Sequence, residues 1–139
     1  IARHGGAGLI IDYGHAAPAP GDTLQAVAAH TYADPLKTPG EADITAHVDF
    51  TAIARAGTES GLSLLGYASQ ALFLLGCGLD DLAARTSQSD ARAYLQFTNE
   101  VKKLTLPHEM GELFKVIAFG RDVDIPLTGF RLQDRRGRL

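Results

Sequence analysis

The sequence predicts one domain of mixed α/β or α+β class, and three observations carry that prediction. Residues 8–13 form a short apolar run bounded by glycines, which is typical of a strand buried on both faces in a parallel sheet. Residues 90–105 repeat apolar side chains at helical spacing. The predicted order along the chain is strand, strand, helix, strand, helix, helix, strand.

The bulk composition is that of an ordinary globular domain. The chain has 139 residues, is 45% hydrophobic and 21% charged, and carries a formal net charge of -3. That charge gives no reason to expect nucleic acid or an anionic membrane as a partner. No apolar stretch reaches the roughly 18 residues of a membrane span. The single cysteine, Cys77, lies in an apolar setting and is expected to be buried and unreactive.

The first half of the chain reads as alternating loops and short elements. Residues 15–21 are a loop by their proline and glycine content. Residues 22–30 are predicted as a strand, although their alanines also allow a helix, and residues 31–43 as a loop. A helix is predicted to begin after Asp49 as its N-cap and to end at Gly57.

The second half is richer in helix. Residues 62–69 are predicted as a strand, and leucines at helical spacing follow, interrupted by glycines that predict two short pieces. After the helix at 90–105, residues 111–120 are predicted as the closing strand. We place the domain at residues 1–130 and expect the basic tail, residues 131–139, to be solvated or disordered.

Several common motifs are excluded. Gly6 and Gly8 begin a G-x-G, but Ile11 stands where a dinucleotide fingerprint needs its third glycine, and the glycines precede the strand. There is no Walker pattern, C-x-x-C pair or H-E-x-x-H, so we expect no metal site. Glu109 and Glu112 are explained at least as well by a cap and a solvated face as by a site.

Individual polar residues allow two interpretations each. Asp12 follows an apolar run and is either a site residue or a structural ion-pair partner. His15 is either a proton shuttle or a solvated loop residue. His47 and Asp49 are either a metal or acid/base pair or, respectively, a surface residue and a helix cap. Gln70 hydrogen-bonds either the backbone or a ligand.

Five segments in order resemble the MidA family of S-adenosylmethionine-dependent methyltransferases. They are "LIIDYGH", "DTLQAVAAH", "PGEADITAHVDF", the single glutamine of "YASQALFLLGCGL", and "MGELFKV". The resemblance extends through about Phe130. Its mitochondrial members are complex I assembly factors that methylate an arginine of a complex I subunit, so the resemblance implies arginine methylation of a protein.

The resemblance also implies a fold and a location within it. The family has a class I methyltransferase fold, a seven-stranded Rossmann-like sheet, and the match is to its C-terminal portion. "GLIIDYG" would be the fifth strand, followed by an inserted lobe and the closing strands. The glycine-rich loop and the acid that hold S-adenosylmethionine are not in these residues, so the groups that bind the cofactor are expected upstream.

Site residues follow from the same comparison. The resemblance implies a substrate side of the cleft, with the acceptor held against the methyl group. The residues expected to be catalytic are Asp12, Tyr13 and Asp49. The residues expected to bind substrate are Gly14, His15, Thr45, His47 and Gln70.

The expected function is methyl transfer to a protein arginine, with this chain supplying the acceptor side and inactive by itself. The alternative is a non-catalytic protein-binding or assembly module that keeps the fold. A third reading is a shortened chain whose apolar sheet edge drives it into homo-oligomers. The expected partners are a protein substrate and the N-terminal half of the same domain. The expected location is the cytoplasm in a bacterium or the mitochondrial matrix in a eukaryote.

Overall fold

The computed structural model describes residues 1–17, 20–37, 40–86 and 91–139. The strands are β1 (Gly6–His15), β2 (Gln25–Ala28), β3 (Thr31–Ala33), β4 (Asp43–Thr45), β5 (Val48–Asp49), β6 (Ser63–Ser69) and β7 (Phe114–Arg121). The helices are α1 (Phe50–Glu59), α2 (Gln70–Gly76), α3 (Leu79–Thr86), α4 (Ala91–Thr105) and α5 (Met110–Leu113). Short 3-10 turns lie at Thr128–Phe130 and Arg136–Arg138. In the described part of the chain, no helix combines the length and apolarity needed to cross a membrane.

The strands form a main sheet and a small one. The main sheet has the order β5-β1-β7-β6, and the small sheet has the order β3-β2-β4. β7 runs antiparallel to both β1 and β6, so β1 and β6 run parallel to each other. β5 is parallel to β1. The carboxyl ends of β1, β5 and β6 therefore lie at one edge of the main sheet, beside the start of β7.

Apolar layers cover both faces of the main sheet. On one face, Phe50 of α1 packs against Tyr67 of β6, with ring centroids 5.6 Å apart. On the other face, Phe73 of α2 packs against Phe130, with ring centroids 5.2 Å apart. Inside α1, a Cβ on Gly57 would lie 2.3 Å from the Phe119 ring, so glycine is what lets this helix approach the sheet.

β1 is not the doubly buried parallel strand that its sequence predicts. Its long pairing is antiparallel, to β7, and Leu9, Ile10 and Ile11 remain 47%, 40% and 50% exposed. The cause is its other edge, where β5 pairs only with Gly14 and His15. Apolar cavities of about 350 and 410 Å³ flank the open part of β1, one on each face of the sheet.

In the first half of the chain, the predicted elements form with shifted ends. The strand predicted over 22–30 forms as the shorter β2, whereas the loop predicted over 31–43 contains β3 and the start of β4. The side chain of Asp49 caps α1, as predicted. The predicted stop at Gly57 is wrong, since α1 continues to Glu59 and the left-handed turn (φ 77°) falls at Gly61.

In the second half, β6 and the two helical pieces α2 and α3 confirm the predictions. α4 also forms as predicted, but its Leu95 is 65% exposed. The closing strand predicted over 111–120 begins only at Phe114, because its first three predicted residues belong to α5. Cys77 is exposed rather than buried, since α2 ends there.

The basic tail makes specific contacts with the main sheet, although most of its residues are exposed. It runs along the outer edge of β6, where the Tyr67 N–H donates to Asp134 Oδ1 (3.3 Å) and Arg135 N–H donates to the Tyr67 carbonyl (2.6 Å). The Arg135 guanidinium donates two hydrogen bonds, of 2.9 and 3.1 Å, to the Glu112 carboxylate. The tail thus satisfies backbone groups that an edge strand leaves unpaired.

The substitution Arg135→Gln tests this docking. The guanidinium of Arg135 holds the pKa of Glu112 below its usual value of 4.5. The pair therefore stabilises the fold above that value, and its contribution is lost as the pH falls through the lowered pKa. We expect the variant to lose up to about 1 kcal/mol of unfolding free energy at neutral pH.

Urea unfolding followed at neutral pH and at about pH 2 measures this difference, which should vanish in acid. A difference that is equally large at both pH values would contradict the role of the ion pair.

Candidate functional site

The polar residues predicted as a site lie at the carboxyl edge of the main sheet, where open α/β sheets bind their ligands. β1 ends with Gly14 paired to Val48 and His15 paired to Asp49. Gly14 is buried, and a Cβ on it would lie 2.1 Å from the Val48 carbonyl oxygen. Glycine is required here because only the missing side chain lets β5 approach the end of β1.

Tyr13 joins the main sheet to the small one. Its ring makes edge-on contacts with His47, at 5.8 Å between centroids, and with Phe114, at 5.5 Å. The His47 backbone N–H donates to Thr23 Oγ1 (3.2 Å), and its Nε2 lies 3.5 Å from Gln25 Nε2 at the start of β2. His47 is thus a fixed link between the end of β1 and the small sheet, rather than a free surface residue.

The two predicted carboxylates each use one oxygen in local structure. Asp12 Oδ1 accepts the Tyr13 N–H at 2.8 Å, and Asp49 Oδ1 accepts the Ala52 N–H at 3.0 Å as the cap of α1. Within the described ranges neither carboxylate has an ion-pair partner. Each therefore keeps an oxygen that can accept a hydrogen bond from a cationic ligand.

The remaining predicted residues divide between this cluster and a separate position. Thr45 pairs with Gln25 in the small sheet. His15 lies opposite Asp49, and its buried Nδ1 atom has no hydrogen-bond partner among the described residues. Gln70 begins α2 at the end of β6, on the far side of β7. Its side chain is buried and donates to the Leu104 carbonyl at 2.9 Å. Of the two predicted alternatives, a bond to the backbone or to a ligand, the structure shows the bond to the backbone.

A group of titratable residues at the same edge was not predicted as a site. Glu112, Lys115 and Arg135 gather beside Tyr67, and burial raises the pKa of Tyr67 to about 12. Burial also lowers the pKa of Lys115, whose ammonium donates to the Glu112 and Leu113 carbonyls. The segment "MGELFKV" contains both Glu112 and Lys115, whereas Arg135 reaches Glu112 only through the fold.

The described strand-to-helix turns lack the glycine-rich loop that binds cofactors in many open α/β sheets. The strand-to-helix turns β5–α1 and β6–α2 pass directly from strand to helix without a glycine, whereas a glycine-rich turn is what lets a cofactor approach the backbone. No group of three or more potential metal ligands occurs in the described ranges. In these ranges the candidate site is therefore the polar edge at the ends of the strands.

Comparison with known proteins gives the class. A crystal structure of a protein from Burkholderia thailandensis superposes with a TM-score of 0.91 at 46% identity, covering 98% of this chain and 38% of that one. A second crystal structure, of a protein from the same superfamily and organism bound to S-adenosyl-homocysteine, superposes with a TM-score of 0.86 at 45% identity. The match covers 96% of this chain and 36% of that one. The fold is therefore that of part of a methyltransferase sheet.

Sequence comparison gives similar proteins of the same kind. Residues 1–68 match the model of a family of S-adenosyl-L-methionine-dependent methyltransferases. The mitochondrial protein arginine methyltransferase NDUFAF7 of Danio rerio is 35% identical over 83% of this chain, and its Drosophila melanogaster homolog is 37% identical over 85%. In each case the chain spans 27% of the length of the relative.

The substitution Gly14→Ala tests the close approach that builds the site. The added Cβ would overlap the Val48 carbonyl, so we expect the unfolding free energy to fall by about 1–3 kcal/mol. The matched control is Gly137→Ala, where a Cβ meets no atom within 4 Å.

We expect the control to change stability by less than about 0.5 kcal/mol, measured by urea unfolding. Equal stability of the two variants would show that β5 does not pack on Gly14.

Proposed function

We propose that this chain forms the acceptor side of an S-adenosylmethionine-dependent methyltransferase that acts on an arginine of a protein. The observation that carries the proposal is the match, at 45% identity over 96% of the chain, to a structure bound to S-adenosyl-homocysteine. That compound is the product left when S-adenosylmethionine gives up its methyl group. The arginine target is supported by the names of the curated relatives.

We also propose that another part of the same protein covers the open edge of β1. The chain spans about a quarter of its curated relatives, so most of a relative's length lies outside the matched region. The exposed side chains of Leu9, Ile10 and Ile11 and the two flanking apolar cavities are what a neighbouring strand with its helices would bury. The groups that hold the cofactor would lie in that part.

The chain's own residues would position the acceptor. S-adenosylmethionine supplies the methyl group when bound, and the acceptor nitrogen must be aligned with it and must lose a proton. The remaining oxygen of Asp12 or of Asp49 can accept a hydrogen bond from a guanidinium and help to fix its orientation. Tyr13, held by His47 and Phe114, gives the cleft a rigid wall.

A non-catalytic binding or assembly module is the second candidate. It is favoured by one observation, the lack of a glycine-rich strand-to-helix turn in the described residues. The two candidates differ in what the remainder of the protein contributes. A cofactor cradle elsewhere in the protein supports the enzyme, whereas its absence supports the module.

The substitution Asp12→Asn tests the proposed acceptor site in the protein that carries this chain. Loss of the charged oxygen should reduce kcat/KM for methyl transfer roughly tenfold to a hundredfold, because a hydrogen bond to a charged group contributes about 1.5–3 kcal/mol. Incorporation of labelled methyl groups into substrate protein measures this. We expect the unfolding free energy to change by less than about 0.5 kcal/mol.

Asp124→Asn is the matched control, since Asp124 is exposed and lies outside the site. It should leave methyl transfer unchanged. Parallel losses of activity and stability in Asp12→Asn would make Asp12 a structural residue instead.

A further inference from the structure

A group of side chains that the site does not use lies on one face of the small sheet. In the register of the central strand β2, Val27 has Tyr32 of β3 on one side and Asp43 of β4 on the other. Directly paired residues share a face of a sheet, so these three form one row. Gln25 and Thr45 form the next row on that face. We refer to these five side chains as the lobe face.

The lobe face continues into the candidate site. Gln25 Nε2 lies 3.5 Å from His47 Nε2, and the His47 ring contacts the Tyr13 ring. A polypeptide that places one side chain beside Tyr13 can therefore extend along the lobe face without crossing another element of the small sheet.

The outer row of the lobe face is open. Tyr32 is 80% exposed, and its side chain has no ring contact or hydrogen bond to a described residue. Asp43 is exposed and forms no ion pair within the described ranges. The segment 20–49 is acidic as a whole, and its charged side chains other than histidine are Asp22, Asp34, Glu41, Asp43 and Asp49 against the single Lys37.

The chemistry of this row suits an arginine side chain. Neighbouring strands lie about 4.8 Å apart, so the backbones of Tyr32 and Asp43 are separated by about 10 Å across β2. A guanidinium can fit that gap, stacked on the tyrosine ring and donating to the carboxylate. Its aliphatic stem would then lie over the apolar side chain of Val27.

We propose that the lobe face binds a second arginine of the substrate polypeptide and so selects protein segments that carry arginine beyond the modified residue. This inference rests on the proposed function, which places the modified arginine beside Tyr13 and so sets the direction in which the polypeptide runs along the lobe face. The partner is thus a flexible, arginine-containing protein segment, recognised by an aromatic ring and a carboxylate on an apolar floor.

A binding experiment tests the inference in the protein that carries this chain. The probe is a fluorescein-labelled glycine peptide with two spaced arginines, compared by fluorescence anisotropy with the same peptide carrying glutamine in place of both. We expect Asp43→Asn and Tyr32→Thr each to raise the Kd for the arginine peptide about fivefold. Tyr32→Phe keeps the ring and should bind normally.

Glu41→Gln is the matched control, because it removes a nearby exposed acid outside the lobe face. It should leave the Kd unchanged, and the glutamine peptide should bind more weakly than the arginine peptide. The inference is overturned if Asp43→Asn and Tyr32→Thr bind like the unmodified protein. It is also overturned if Glu41→Gln weakens binding equally, since that result would show general charge attraction.

Methyl transfer measured on the same protein separates this inference from the proposed function. Binding that depends on Tyr32 and Asp43 without methyl transfer would contradict the enzyme and support the lobe face as a binding surface. Methyl transfer together with peptide binding that does not depend on Tyr32 and Asp43 would contradict only the proposed role of the lobe face.

Discussion

The antiparallel pairing of β7 between β1 and β6 determines where the chemistry of this chain lies. Because both neighbours oppose β7, they run parallel to each other, and their carboxyl ends meet at one edge. β5 joins that edge only because Gly14 has no side chain to obstruct the Val48 carbonyl. The polar ends of three strands, from distant parts of the sequence, are thereby collected in one place.

The other edge of β1 is left largely unpaired. β7 satisfies one edge of the strand, but β5 reaches only its last two residues, so a row of backbone groups and three large apolar side chains remain exposed. The outer edge of β6 is treated differently, since the tail donates to and accepts from its backbone and anchors on Glu112 through Arg135. One edge of the main sheet is thus closed by this chain, and the other is open to a neighbour.

Most local signals in the sequence were confirmed, although the helix stop at Gly57 was not, whereas the long-range contacts were not predicted. The Asp49 cap, the leucine spacing of α2 and α3, and the apolar period of α4 depend on residues within a few positions of one another, and each was predicted. The exposed edge of β1 depends on which strand pairs with it, and the docked tail depends on Arg135 meeting a residue 23 positions earlier. Neither contact can be recognised from the residues next to it in the sequence. The candidate site residues came mainly from family resemblance. The fold places most of them near the carboxyl ends of the strands, where Gln70 lies beyond β7 and donates to the Leu104 carbonyl.

We propose that this chain supplies the acceptor side of a methyltransferase whose cofactor groups lie elsewhere in the protein. Calorimetric titration of S-adenosylmethionine into this chain, and into the longer protein that carries it, tests that claim most directly. We expect S-adenosylmethionine to give heat of binding with the longer protein and none with this chain. Binding to this chain alone would contradict it by placing the cofactor groups among these residues, and binding to neither would contradict the methyltransferase itself.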